Sequence, residues 1–152
     1  MFRGANALNL DTKGRFAIPT RYRERLLEDC EGQLICTVDL NQPCLLLYPL
    51  HEWEEIEKKL RHFSSMVPQE RAIQRILLGY ASECEMDKSG RILLTGPLRQ
   101  YAELDKQLML IGQLNKFEIW NEATWHARIK EDMQAQLDGE LELTDNLRSF
   151  SL

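Results

Sequence analysis

The chain of 152 residues has no run of about 18 apolar residues, so the sequence offers nothing that spans a bilayer as a helix. Its first residues, MFRGANALNLD, lack the apolar core of a secretory signal, which points to the cytoplasm. Four cysteines stand at 30, 36, 44 and 84, with no C-x-x-C pair and no zinc-module spacing. They read as reduced thiols buried in a core, and no metal site is expected from them. Histidine is scarce, and His51, His62 and His126 share no ligand spacing. There is no Ser/His/Asp pattern, no phosphate-cradling glycine loop and no H-E-x-x-H. An enzyme therefore has no residue set to stand on, and no small-molecule substrate is expected.

Positive charge is also in deficit, with a formal net charge of −5. That argues against indiscriminate coating of nucleic acid. The distribution is uneven, however. Residues 1–26 carry Arg3, Lys13, Arg15, Arg21, Arg23 and Arg25 against Asp11 and Glu24, a net of +4. Residues 103–152 carry five basic and ten acidic side chains. A basic head on an acidic body implies a localised anionic partner.

What is present twice is more telling. The stretch LNLDTKGRFAIPTRYRERLL (8–27) returns as CEMDKSGRILLTGPLRQYAEL (84–104). A shift of 76 places Asp11, Gly14, Arg15 and Arg23 on Asp87, Gly90, Arg91 and Arg99. With a four-residue deletion the offset becomes 72, and Leu45, Leu47 and Trp53 fall on Phe117, Ile119 and Trp125. Two units follow, 1–65 and 81–137, joined by a helix over 66–80 and followed by an acidic tail over 138–152. Each unit reads as strand, tight hairpin turn, strand, short helix entered near Pro19 or Pro97, then two more strands and an amphipathic helix. Gly14 and Gly90 are expected at positive φ, and Asp11 and Asp87 are expected to cap backbone N–H groups two residues on. Trp53, Ile56, Leu60 and Phe63, and likewise Trp125, Ile129, Met133 and Leu137, recur at helical spacing and read as core stripes. The class is α+β. Units this small bury too little surface to stand alone, so a shared core and further association are expected.

The turns carry the chemistry. Arg15 follows the first turn directly, beside Lys13, with Arg21, Arg23 and Arg25 on the helix beyond. Arginine forks engage phosphates and guanine edges, and a two-stranded ribbon fits the major groove of DNA. A local Asp11–Arg15 or Asp87–Arg91 ion pair is the structural alternative for the same residues.

On these motifs the chain resembles the MraZ family of bacterial transcriptional regulators over essentially its whole length. The family's doubled D-x-x-x-R is matched by Asp11/Arg15 and Asp87/Arg91, and its G-R-x-x-I-P step by Gly14 to Pro19. The second copy departs by placing Pro97 two positions later than Pro19. The resemblance implies two tandem SpoVT/AbrB-like β-barrel units of the swapped-hairpin kind, in a pseudo-two-fold repeat with flanking amphipathic helices. It implies a nucleoid-associated repressor, without cofactor or metal, that binds short direct repeats of double-stranded DNA upstream of its own division and cell-wall operon. It also implies a homo-oligomer in a closed ring.

The residues expected to meet DNA are Arg3, Asp11, Lys13, Gly14, Arg15, Arg21, Arg23 and Arg25. Those of the second copy, Asp87, Lys88, Gly90 and Arg91, are expected to serve assembly or auxiliary contact. The window 77–102 has no net charge, so Arg15 is expected to outweigh Arg91. Competing readings are an oligomeric protein-interaction module and an antitoxin-like module, neither with specific operator binding.

Overall fold

The runs LICTV and CLLLY offer apolar side chains at successive positions, which suits strands covered on both faces. In the computed structural model, which describes residues 1–139 and 142–152, they become the central strands β3 (Gln33–Val38) and β4 (Leu45–Pro49). Before them come β1 (Ala5–Asn9), β2 (Arg15–Ala17) and helix α1 (Thr20–Cys30). After them come α2 (Leu50–Leu60), α3 (Pro68–Tyr80), β5 (Ser82–Glu85), β6 (Arg91–Leu93), α4 (Gly96–Tyr101), β7 (Gln107–Gln113) and β8 (Lys116–Asn121). The chain continues with α5 (Glu122–Asp138) and α6 (Asp145–Ser149). No helix of the described residues is long and apolar enough to cross a membrane.

Six strands form one antiparallel sheet in the order β1-β7-β8-β4-β3-β5, and β2 pairs with β6 in a separate ribbon. The protein is thus α+β, but the sheet is open. The expected barrels are not closed, because β1 and β5 are edges that pair on one side only. Both edges are short and polar, with Asn6 and Asn9 on one and Ser82, Glu83 and Glu85 on the other, which discourages pairing with further strands.

The expected hairpins are also corrected. Asp11 N–H donates to the Arg15 carbonyl at 2.8 Å and closes the turn, but β1 and β2 then part. β1 joins β7 of the second half, and β5 of the second half joins β3 of the first. The halves are interleaved rather than adjacent, as a shared core requires.

The register reveals a pseudo-two-fold axis. Phe16 faces Ile92, its own equivalent at an offset of 76, with Arg15 opposite Leu93 and Ala17 opposite Arg91. In the same way Leu45 faces Ile119 and Leu47 faces Phe117, symmetric about Leu46 and Glu118. Leu8 meets Leu108 where Cys84 meets Leu34, so β1 and β5 keep the offset of 76 while β3 and β7 are related by 74. The four-residue deletion therefore falls as two steps of two residues, one on each side of β7.

Alternate side chains of β3 and β4 enter two cores. Leu34, Cys36, Val38, Leu45 and Leu47 join Phe16, Ile18, Tyr22, Leu26, Ile92, Leu94, Leu98 and Phe117 on one face. Ile35, Leu46 and Tyr48 meet Trp53 on the other, with Ile56 and Leu77 packed against them. Buried Thr37 donates its hydroxyl to the Leu77 carbonyl at 2.7 Å, tying α3 to the sheet. Removing a fully buried ring such as Phe16 costs about 3–5 kcal/mol.

The apolar stripe of α2 is core, with Trp53 and Leu60 buried. That of α5 is not: Ile129, Met133 and Leu137 are exposed. The segment from Ala123 onward forms a compact unit of its own, distinct from Met1–Glu122. Within the acidic tail, residues 140 and 141 lie outside the described residues, and Thr144 caps the short helix α6 through a bond from Leu147 N–H at 3.2 Å. All four thiols are free, with Cys36, Cys44 and Cys84 buried and Cys30 half-buried.

Candidate nucleic-acid interface

Gly14 and Gly90 turn the chain with φ of 85° and 75°, a region that costs residues with a Cβ. Each turn is organised by its aspartate. Asp11 Oδ1 accepts from Lys13 N–H at 2.9 Å and Arg15 N–H at 2.8 Å, while Oδ2 accepts from Arg15 Nε at 2.9 Å. Asp87 repeats the pattern with Ser89 N–H and Arg91 N–H at 2.9 Å and Arg91 Nε at 3.0 Å. Both carboxyls are held below their ordinary value of 3.8, first by the backbone N–H of Arg15 or Arg91 and then by the other bonds of the turn, against some desolvation. The ion-pair alternative raised by the sequence is therefore present in both copies.

That pairing does not remove the arginines from service. Each donates from Nε to its aspartate, and among the described residues the Nη groups donate no hydrogen bond. A guanidinium pinned at one edge with its fork free is ordered before a ligand arrives, which spares part of the entropy of binding.

The ribbon decides where these groups point. Phe16 and Ile92 face the core, so their neighbours Arg15, Ala17, Arg91 and Leu93 face outward. Arg15 and Arg91 sit at opposite ends of three-residue strands, two residues apart along each, or about 7 Å at strand rise. Lys13 and Lys88 are exposed in the adjoining turns. One face thus carries Arg15 and Arg91, with Ala17 and a half-exposed Leu93 between them and the exposed Lys13 and Lys88 in the turns at its two ends.

The rest of the basic head lies elsewhere. Arg21 Nη2 donates to Asn6 Oδ1 at 2.8 Å and to the Tyr22 hydroxyl at 2.7 Å. Arg25 pairs with Asp29 at 3.2 Å and lies 5.3 Å from the Phe2 ring centroid. Arg3 is exposed, and its carbonyl accepts from the Tyr22 hydroxyl. These three arginines pack around the N-terminal segment, not beside the Asp11–Arg15 turn. Arg23 turns inward, donating from Nε to the Ile18 carbonyl at 2.6 Å.

The charge surplus that favoured Arg15 over Arg91 is therefore not at the turn, where the two copies match bond for bond. Nor is the second helix displaced, because Thr95 takes the extended conformation of Pro19 and α4 begins at the residue equivalent to the start of α1. Two features of the face have no local signal in the sequence. Ala17 and Leu93 needed the ribbon register to be seen as surface. Arg99 was legible only as the repeat of Arg23.

The family described as "MraZ protein, putative antitoxin-like" matches the chain twice, over residues 1–76 and 77–145. The chain is 64% identical to "Transcriptional regulator MraZ" of Pseudoalteromonas atlantica over all 152 residues of both proteins. It is 64% identical to the protein of that name from Tolumonas auensis and 58% identical to that from Yersinia pestis, again over the full length of each.

Proposed function

The chain belongs to the MraZ family, and from that premise we propose that it is a DNA-binding transcriptional regulator that reads double-stranded DNA with the outer face of the β2–β6 ribbon. The observation that carries this reading is the pair of matching turns on that face. Lys13 and Lys88 supply phosphate contacts, and the free forks of Arg15 and Arg91 supply bidentate contacts. Asp11, Gly14, Asp87 and Gly90 shape the turns. Arg3, Arg21 and Arg25 form a second cationic patch around the N-terminus, suited to flanking phosphates. The strand exchange between the halves supports a SpoVT/AbrB-type reading of units 1–65 and 81–137, with 66–80 as connector and 138–152 as tail.

As in the resemblance, the operator is a set of short direct repeats upstream of the chain's own division and cell-wall operon. Copies of the chain assemble as a closed ring that acts as a repressor in the cytoplasm at the nucleoid, with no catalytic role. One narrow ribbon contacts few base pairs, so several copies on repeated sites would gain affinity through avidity. The test is a band shift with the DNA upstream of the gene and a scrambled control, repeated across salt. Preference for the upstream DNA, with affinity falling as salt rises, is expected. Equal affinity for both probes would sink it.

The antitoxin-like description of the family supports a second reading, in which the C-terminal segment engages a protein partner. Salt-independent capture of such a partner, with no preference among DNA probes, would favour it.

A further inference from the structure

The two turns are not self-supporting. Arg99 Nε donates to the Leu94 carbonyl at 3.1 Å, and Leu94 N–H donates in turn to the Gly14 carbonyl at 2.9 Å. The same guanidinium lies over Gly14 so closely that a Cβ there would stand 2.8 Å from its Nε and 2.9 Å from its Cζ. The mirror arrangement joins Arg23, whose Nε donates to the Ile18 carbonyl at 2.6 Å, while Ile18 N–H donates to the Gly90 carbonyl at 2.8 Å. A Cβ on Gly90 would meet Arg23 Nε at 2.2 Å. Both arginines are half-buried.

We propose that Arg99 and Arg23 are positioning residues that brace the DNA-facing turns crosswise. Arg99 of the second repeat holds the Asp11–Arg15 turn of the first, and Arg23 of the first holds the Asp87–Arg91 turn of the second. The physical reason is the absence of a side chain. Glycine at positive φ gives the turn its shape but no packing of its own, and it is the residue that loses most entropy on being fixed. A planar guanidinium laid on the bare backbone supplies the missing contact and anchors it through the carbonyl of the residue just beyond the ribbon strand of the other repeat, Leu94 or Ile18. A lysine ammonium, a compact point charge, cannot cover that surface. The brace explains why Arg23 and Arg99 recur at the repeat offset although each turns its Nε to a backbone carbonyl and not to a turn aspartate. It makes the cation of one repeat a condition for the geometry of the other.

The inference rests on the DNA-binding reading only for its functional consequence, so the first experiment needs no DNA. Amide hydrogen exchange is followed in the full chain for wild type, Arg99→Ala and Arg23→Ala. Arg99→Ala should speed exchange at the Lys13 and Arg15 amides by about tenfold and leave Ser89 and Arg91 near wild type, and Arg23→Ala should do the reverse. Equal acceleration at both turns, or acceleration only in the variant's own repeat, overturns the brace. Faster exchange across the β7 and β8 amides would show global loosening, and then Arg99→Lys and Arg23→Lys, which keep charge and stem, replace the alanines under the same criterion.

The second experiment is a pair of double-mutant cycles on binding to the upstream DNA. Arg99→Ala should lower affinity on its own, yet cost little once Arg15 is already alanine and its full amount once Arg91 is. Equal costs in both backgrounds would overturn the functional claim. If the wild-type chain shows no DNA preference, the proposed function falls while the exchange pattern still decides the brace.

Discussion

Phe16 lies directly opposite Ile92, and the two are the same position of the two repeats. A strand facing its own equivalent places each outward neighbour at the mirror end of the ribbon, so Arg15 and Arg91 sit in matching turns and registers, with Leu93 across from one and Ala17 across from the other. This relationship, more than the charge of either helix, governs what the turns can do.

Arg15→Ala and Arg91→Ala should therefore each weaken binding to the upstream DNA by about 1–3 kcal/mol and by comparable amounts. The comparison is made at matched salt, with sizing to show that the assembly is unchanged. A loss confined to Arg15 would mean that recognition belongs to one turn.

Glycine substitutions should follow the space above each residue. Gly90→Ala should cost more than Gly14→Ala, since its Cβ would fall 2.2 Å from Arg23 Nε against 2.8 Å from Arg99 Nε. Both should exceed about 1 kcal/mol through positive φ alone. Gly79→Ala, in α3 with nothing within 4 Å, should instead stabilise by up to about 1 kcal/mol. Denaturant midpoints decide the order.

Acid should loosen the turns. The folded Asp11 and Asp87 carboxyls titrate below 3.8, so they bind fewer protons than in the unfolded chain. Their contribution is present above that value and is lost as pH falls through the lowered folded one. Melting temperature measured from about pH 5 down to about pH 2 should fall less steeply for an Asp11→Asn, Asp87→Asn double variant than for wild type. Parallel curves would show that these carboxyls bear no such linkage.

Thiol chemistry should single out one cysteine. Cys36, Cys44 and Cys84 are closed off, and burial pushes the Cys44 thiol far up. Cys30 is half-buried, and desolvation raises it too. A thiol reagent at neutral pH should label Cys30 slowly and the other three only on unfolding. Rapid native labelling of two or more sites would contradict the packing.

The element order was legible because each element has a local cause. Pro68 opens α3, Gly14 and Gly90 mark turns, and CLLLY has no polar side to show. Partner choice was not legible, because Leu8 and Leu108 are as apolar as any alternative pair, and nothing local says that β1 leaves β2 for β7. The α5 stripe failed for a related reason: spacing shows that Ile129, Met133 and Leu137 share a face, not that anything covers it. In the candidate site, the D-x-x-x-R turns could be read directly from sequence. The inward use of Arg23 could not, since it depends on a glycine in the other repeat.

The interleaved sheet also fixes when the protein can fold during its own synthesis. Leu8 finds its partner only at Leu108, and Phe16 only at Ile92. At about 5–20 residues per second, β1 waits roughly 5–20 seconds on the ribosome for β7, while β3 and β4 can already pair with each other. Neither half can close its core before β7 and β8 have emerged, so completion of the chain, not the propensity of its first helix, times the burial of Phe16, Ile18 and Leu26.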